Sequence, residues 1–216
     1  MKLYFMVGLP YETTEDARGI GELAEKIADV YFATPKEKRS KGLKITVSTS
    51  ILVPKPFTPF QWAPMEKPEI VAERIKAVKD SINSRSINYN YHEQETSFME
   101  AVFARGDRRT CDVLIKAFEK GAKFDGWSEF FSKKIWDEAM ADCNLDPDFY
   151  VYREKSYDEV LPWDFIDIGV NRKYLERENE KAKNAELTKN CREGCTGCGI
   201  NVNFKEGKCF EGALCN

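Results

Sequence analysis

KLYFMVGLP, residues 2–10, is a nearly continuous apolar run that stops at Gly-Leu-Pro. Continuous rather than alternating apolarity predicts a strand that is buried on both faces, as in a parallel sheet or barrel. Such a strand needs neighbouring strands on both sides. This opening stretch therefore sets the expected fold class, α/β with a parallel sheet.

The residues that follow predict a strand–helix–strand unit. Thr13 or Thr14 can cap a helix, and apolar residues then recur at helical spacing from Ile20 to Tyr31. A second strand is predicted where apolar residues take every second position from 43 to 53, and Pro54 ends it. Two parallel strands do not make a stable sheet alone, so we expect this chain to be a piece of a larger fold.

The rest of the chain predicts a helix over 67–84, a third strand over 87–93 and mainly helices from Ser97 onward. Arg105 and its neighbours in ARGDRR (104–109) are interpreted as a helix end with a solvated basic cluster, with phosphate contact as the alternative. Cys111 and Cys143 are interpreted as buried small hydrophobes. One further prediction is that five aromatic residues form core and inter-helix contacts, namely Phe124, Trp127, Phe130, Phe131 and Trp136.

Composition excludes several functional classes. The 216 residues are 42% hydrophobic and 32% charged, as in ordinary globular proteins, and the net charge of −3 argues against nucleic-acid binding. No apolar run has the roughly 20 residues needed to span a bilayer, and the N-terminus does not resemble a signal peptide, so a cytoplasmic location is expected. The single histidine, His92, leaves little room for hydrolase triads or histidine-rich zinc sites.

The cysteines are concentrated at the end of the chain, where five of the seven lie within the last 26 residues. Cys191, Cys195 and Cys198 have Cys-x-x-x-Cys-x-x-Cys spacing on a glycine-containing loop that can fold round one metal. Three interpretations remain open. They are an iron–sulfur cluster, a structural zinc with Cys209 or Cys215 as the fourth ligand, and reduced thiols on a mobile tail.

Two segments together resemble the later part of a radical S-adenosylmethionine (SAM) domain. The first, KLYFMVGLPYETTED, contains the Gly-Leu-Pro-x-Glu-Thr turn at residues 8–13, and the second, VSTSILVPKPFTPFQW, contains the Pro-Lys-Pro-x-Thr-Pro segment at residues 54–59. ARGDRR, FDGW, LPWDFIDIGV and CREGCTGCG follow in the order found in radical SAM proteins that contain a cobalamin-binding domain. The resemblance covers nearly the whole chain.

This resemblance implies an N-terminal cobalamin-type domain followed by a partial (β/α) barrel of about six strands. In that family a Cys-x-x-x-Cys-x-aromatic-Cys loop after the first barrel strand holds a 4Fe-4S cluster, which supports cleavage of SAM to a 5′-deoxyadenosyl radical. Here Gly197 stands where the aromatic residue belongs, and a charged helix precedes Cys191 instead of a buried strand. The resemblance therefore implies that residues 191–198 form an auxiliary site and that the catalytic loop lies outside this chain, which begins at the fifth barrel strand.

The same resemblance assigns three SAM-contacting residues. Gly8 allows close approach of the backbone, Glu12 matches the acidic turn residue, and Val53 lies where the adenine is contacted. For each residue the alternative is structural: turn and helix-start geometry for Gly8 and Glu12, and core packing for Val53. The expected divisions are barrel strands over 1–84, a mainly helical extension over 85–185 and a cysteine-rich tail over 186–216.

The expected partners are an unknown substrate and either a missing N-terminal half or another protein domain. A non-enzymatic module that binds zinc or an auxiliary iron–sulfur cluster is the alternative function. Modification of a nucleic acid is a weaker third hypothesis, because the net charge of the chain is negative and would repel phosphates.

Overall fold

The protein has an α/β fold with a three-stranded parallel sheet in a computed structural model that describes residues 1–39 and 42–204. The strands are β1 (Lys2–Val7), β2 (Ile45–Ile51) and β3 (Ile87–Tyr91), in the order β1-β2-β3. Both strand pairs are parallel, with Val7 opposite Ile51 and Val47 opposite Tyr89. The predicted parallel sheet and its third strand are therefore confirmed.

Two long helices connect the strands. Helix α1 (Thr14–Ala33) follows β1, and α2 (Pro68–Asp80) follows β2. A reciprocal capping box at Thr13 and Asp16 begins α1, which selects Thr13 from the two predicted caps. Helix α2 ends four residues before its predicted end. In the turn between α2 and β3, the backbone N–H groups of Asn83 and Ser84 donate to the Glu25 carboxylate.

Most of the remaining described chain is helical or irregular. The helices are α3 (Gln94–Arg105), α4 (Thr110–Glu119), α5 (Lys133–Asp142), α6 (Pro147–Val151), α7 (Arg172–Lys183) and α8 (Ile200–Asn203). Short 3-10 turns occupy Lys36–Lys38 and Pro59–Trp62. Across the described ranges, no helix combines the length and apolar character that crossing a membrane requires.

The main core lies between one face of the sheet and the helices. Val7, Val47 and Ile87 of the sheet share this core with residues of α1 and α2. Ala101 of α3 and Val151 of α6 belong to it as well. The packing around the sheet therefore continues past residue 84 into the helical part of the chain.

The prediction that β1 is buried on both faces is wrong for the described structure. Its side chains alternate, with Val7 fully buried while Tyr4 and Met6 are 72% and 48% exposed. The exposed face continues across the sheet to Asn88 and Asn90 of β3, which the described residues also leave uncovered. The apolar residues of β1 thus have a packing partner on one face alone within the described chain.

A second core cluster joins helices α3, α4 and α5. Trp136 is buried with Met99 and Val113, and Phe131 packs against that cluster as predicted. Phe124, Trp127 and Phe130 are instead 66%, 64% and 52% exposed, so the prediction that they form core contacts is wrong. They lie in the irregular connection between α4 and α5, which gives them no helical face to bury.

Two other predictions are corrected by burial. Cys111 is exposed on α4, although Cys143 packs partly buried against the second core.

Arg105 is fully buried and not part of a solvated cluster. Its guanidinium donates to the carbonyl oxygens of Tyr150 at 2.7 Å, Arg153 at 2.7 Å, Gln61 at 3.4 Å and Ala63. Burial lowers its pKa to about 10, and the nearby Arg153 adds to that shift.

Candidate functional site at the carboxyl ends of the strands

The carboxyl ends of β1 and β2 lie side by side and carry the residues predicted to contact SAM. Val7 pairs with Ile51, and the Leu52 N–H donates to the Val7 carbonyl at 2.9 Å. Gly8 directly follows Val7, and Val53 comes two residues after Ile51. In open parallel sheets this edge is where ligands bind, so the pairing brings two of the three predicted residues to the appropriate place.

Gly8 begins a tight loop between β1 and α1. Its φ of +78° lies in the left-handed region that favours glycine, and the residue is buried. The Gly8 N–H donates to Glu12 Oε2 at 2.8 Å, and the Glu12 N–H donates to the Leu9 carbonyl at 3.1 Å. Tyr11 also has a positive φ, of 68°. These contacts fix the loop in one conformation and occupy the Gly8 N–H.

Glu12 connects this loop to α2 through Arg74. The Glu12 side chain is 8% exposed, and its Oε2 lies 3.8 Å from Arg74 Nε. Arg74 Nη2 donates to the Glu12 carbonyl at 3.0 Å, and Nη1 donates to Thr14. Burial raises the pKa of the Glu12 carboxyl, while the Gly8 N–H and Arg74 oppose that rise. The described contacts of Glu12 are thus those of a residue that holds the turn and the helix start.

Val53 is 7% exposed and belongs to the main core together with Val7 and Ile51. Its described contacts are therefore those of core packing. The contacts of Gly8, Glu12 and Val53 with SAM remain predictions. Sequence reasoning did not find Arg74 as the residue that links the loop to α2, because its position on the helix resembled an ordinary solvent-facing one.

The cysteine loop is attached to the start of α7. The Asn171 N–H donates to the Cys198 carbonyl at 2.8 Å, and Arg177 donates to the Thr196 carbonyl at 2.5 Å. Gly199 has a φ of +100°, and a Cβ there would lie 2.7 Å from the Asn171 side chain. Glycine at 199 is therefore required both by the backbone conformation and by the close approach of Asn171.

The three predicted metal ligands do not form a ligand set in this arrangement. Cys191 is exposed and Cys198 is half-buried, both as free thiols, whereas Cys195 is disulfide-bonded and its sulfur accepts from the Gly197 N–H at 3.3 Å. Within residues 1–39 and 42–204, no three His, Cys, Asp or Glu side chains are grouped to hold a metal ion. The two fourth-ligand candidates, Cys209 and Cys215, lie outside the described residues.

The sequence is similar to an archaeal protein without an assigned activity. It is 28% identical over 147 residues to Uncharacterized protein MJ0966 of Methanocaldococcus jannaschii. The match covers 63% of this chain and 30% of the archaeal protein, so this chain spans less than a third of that relative. No protein-family profile and no solved structure matches the sequence. The similarity therefore carries no activity or cofactor to this chain.

Proposed function

We propose that this chain is the later part of a radical SAM iron–sulfur enzyme that acts on an unknown substrate. The three parallel strands would be consecutive strands of a partial (β/α) barrel, and the catalytic cluster loop would lie outside the chain. The observation that carries the proposal is the bare sheet face, on which Tyr4 and Met6 are exposed beside the polar residues of β2 and β3.

A bare face is unusual for parallel strands, which are normally covered on both sides. In a barrel the inner face is closed by the other strands and lines the ligand site. The polar residues Ser48 and Asn90, opposite Tyr4 in the register, suit such a lining better than a second hydrophobic layer. This supports a barrel segment over a complete open sheet.

The chain's own residues would then bind and orient SAM at the strand ends. When bound, the 4Fe-4S cluster with SAM supplies reductive cleavage to a 5′-deoxyadenosyl radical. Gly8 would let the backbone approach SAM, Glu12 would hold that loop in place through Arg74, and Val53 would contribute an apolar contact to the adenine. The parent protein would also carry cobalamin, according to the family resemblance.

The proposal is tested with a longer protein. A reading frame that continues upstream of Met1 is expected to encode a Cys-x-x-x-Cys-x-aromatic-Cys loop. The longer protein, reconstituted anaerobically with iron and sulfide and reduced with dithionite, should convert SAM to 5′-deoxyadenosine and methionine. The 216-residue chain treated in the same way should give no 5′-deoxyadenosine. Product formation by the short chain would show that the cluster site has been misplaced.

The alternative is a non-enzymatic metal-binding module formed by the cysteine loop. Attachment of Cys198 and Gly199 to Asn171 favours it, because a metal loop needs a fixed base. Since Cys195 is disulfide-bonded, the protein must be reduced before metal is offered. Iron with sulfide and visible absorbance would support an auxiliary cluster, one colourless zinc would support a zinc module, and neither metal would exclude both.

A further inference from the structure

A cavity of about 360 Å³ lies where the segment after β2 meets the connection between α6 and α7. Its volume is within the range of small-molecule sites. Tyr11, in the loop after β1, lies near enough for its hydroxyl to interact electrostatically with one of the cavity residues, Lys183. The residues that line the cavity are Trp62, Glu154, Lys155, Ser156, Tyr157 and Lys183.

Lys155 is a buried residue whose ammonium has no hydrogen-bond or ion-pair partner among the described residues. The residue is 4% exposed, and its backbone N–H donates to the Trp62 carbonyl at 2.8 Å. Within the described ranges its ammonium has neither a hydrogen bond nor an ion pair, and its Nζ lies 5.7 Å from the centre of the Trp163 ring. Buried lysines are normally paired, so this ammonium needs an explanation.

The surroundings of Lys155 add to the positive charge. Arg105 is fully buried nearby and donates to carbonyl oxygens, with no carboxylate among its described partners. Two carboxylates near Lys155 are already engaged, since Glu159 accepts two bonds from Arg153 at 2.7 Å each and Asp107 is paired with Arg109, while the exposed Glu154 lines the cavity. Among the described residues, Lys155 and Arg105 therefore have no carboxylate in direct contact, and Glu159 and Asp107 act on Lys155 from a distance.

The Trp62 side chain also lines the cavity. Trp62 is 1% exposed, and its Nε1 is buried without a hydrogen-bond partner within the described residues. The Tyr157 ring lies against the indole edge-to-face, with 4.9 Å between ring centres. Because Nε1 has almost no accessible surface, the Trp62 N–H cannot reach a ligand in the cavity, and the residue contributes aromatic surface alone.

We propose that this cavity binds a small organic oxyanion, a carboxylate or a phosphate, through Lys155. The anion balances the charge of the Lys155 ammonium. The aromatic rings of Trp62 and Tyr157 favour a ligand with an apolar body next to the anionic group. The site is built from this chain alone, and it does not rest on the proposed radical SAM function.

The experiment titrates the full 216-residue protein at pH 7 with benzoate, acetate and inorganic phosphate at constant ionic strength. Calorimetry and thermal unfolding are both followed. A ligand that binds the folded state should give a saturable calorimetric isotherm and raise the Tm by about 3–6 °C at ten times its dissociation constant. A benzoate response larger than that of acetate assigns the site to aromatic carboxylates, whereas a dominant phosphate response assigns it to phosphate esters.

Lys155→Met should remove the response to every anion, because methionine keeps the side-chain bulk without the charge. Lys173→Met is the matched control, since Lys173 is an exposed lysine at the start of α7, and it should respond like the wild type. A second readout uses the unsubstituted protein: NMR of the lysine side-chain nitrogens should show the Lys155 pKa rising when the anion binds. No saturable response to any of the three anions, or an unchanged response in Lys155→Met, would overturn the proposal.

Discussion

Gly8 occupies a conformation that an L residue with a side chain reaches only at a cost. Its φ of +78° lies in the left-handed region, while the space around it is ordinary: an added Cβ would lie 3.5 Å from Val71 Cγ2 and 3.6 Å from Glu66 Cβ. Backbone conformation and not crowding therefore decides the residue type at this position. The loop that Gly8 starts carries Glu12, so strain here would also disturb the link to Arg74.

Gly8→Ala is expected to destabilise the protein by about 1–2 kcal/mol, the typical cost of left-handed backbone for an L residue. Gly19→Ala is the control, because Gly19 lies inside α1 with nothing within 4 Å of an added Cβ. That change should stabilise the protein by about 0.5–1 kcal/mol through helix propensity. Urea denaturation of both variants measures the two values, and equal effects at the two sites would contradict this account of Gly8.

The charge on Lys155 makes stability depend on pH. Burial lowers its pKa to about 8, and the nearby Arg105 and Arg153 add to the shift. Below pH 8 the ammonium is charged in both the folded and unfolded states, and the folded state bears the cost of burying it. Between pH 8 and the ordinary lysine pKa of about 10.4, only the unfolded state keeps the proton, so stability rises with pH.

We therefore expect the free energy of unfolding of the wild type, relative to Lys155→Met, to rise by about 1 kcal/mol from pH 7 to pH 9. The comparison stops at pH 9 because burial raises the pKa of tyrosines such as Tyr89 and Tyr152, which would lower stability at higher pH. Anion-free buffer is required for the measurement. A difference between the two proteins that stays constant across this range would show that Lys155 does not titrate as described.

At the scale of elements, the connection between α4 and α5 presents apolar side chains to solvent. Leu114, Ile115 and Phe118 of α4 are at least half exposed, as are Phe124, Trp127 and Phe130 of the connection. Trp136 on α5 behaves differently, since it is 5% exposed and meets the Phe103 ring edge-to-face with 5.5 Å between ring centres. Two tryptophans nine positions apart thus have opposite structural roles.

Trp136→Ala should cost about 3–5 kcal/mol, because a large buried ring is lost from a packed core. Trp127→Ala should change stability by no more than about 0.5 kcal/mol, since Trp127 is 64% exposed. Thermal and urea unfolding of the two variants give the comparison directly. Comparable losses would mean that Trp127 is covered by protein in solution.

At the scale of the whole molecule, the sheet depends on residues far along the chain. Strand β2 pairs with β1 on one side and with β3 on the other, and the main core includes Val102 and Val151. The buried Arg105 adds to this dependence by joining the carbonyls of residues 61 and 63 to those of residues 150 and 153. The first two strands are therefore not a separate packing unit in the described structure.

A chain cut after residue 84 is expected not to fold, because it loses β3 and the part of the main core that comes from α3 and α6. Circular dichroism and limited proteolysis of residues 1–84 should show no cooperative unfolding and rapid digestion. The intact 216-residue protein, measured in parallel, should unfold cooperatively. A cooperative transition for residues 1–84 would show that the front of the chain folds alone.

Local sequence patterns were sufficient for much of this fold. The cap at Thr13, the alternation of β2 and the third strand near Ile87 follow from apolar spacing and side-chain hydrogen bonding close in sequence. The candidate positions Gly8 and Val53 came from the family resemblance and not from these local patterns. Their meeting at one edge of the sheet follows directly once the strands are parallel and adjacent.

The burial of individual side chains was decided by tertiary structure alone. Arg105 has the sequence context of a solvated helix end, yet carbonyl oxygens from two distant segments surround it. Lys155 gives no local signal of burial, and Tyr4 lies in an apolar run but is exposed. The sequence by itself determined where strands and helices form, because backbone conformation responds to near neighbours. Which polar groups are enclosed and which apolar groups are left uncovered depended on surfaces brought together from far apart in the chain, and only the folded structure specifies those.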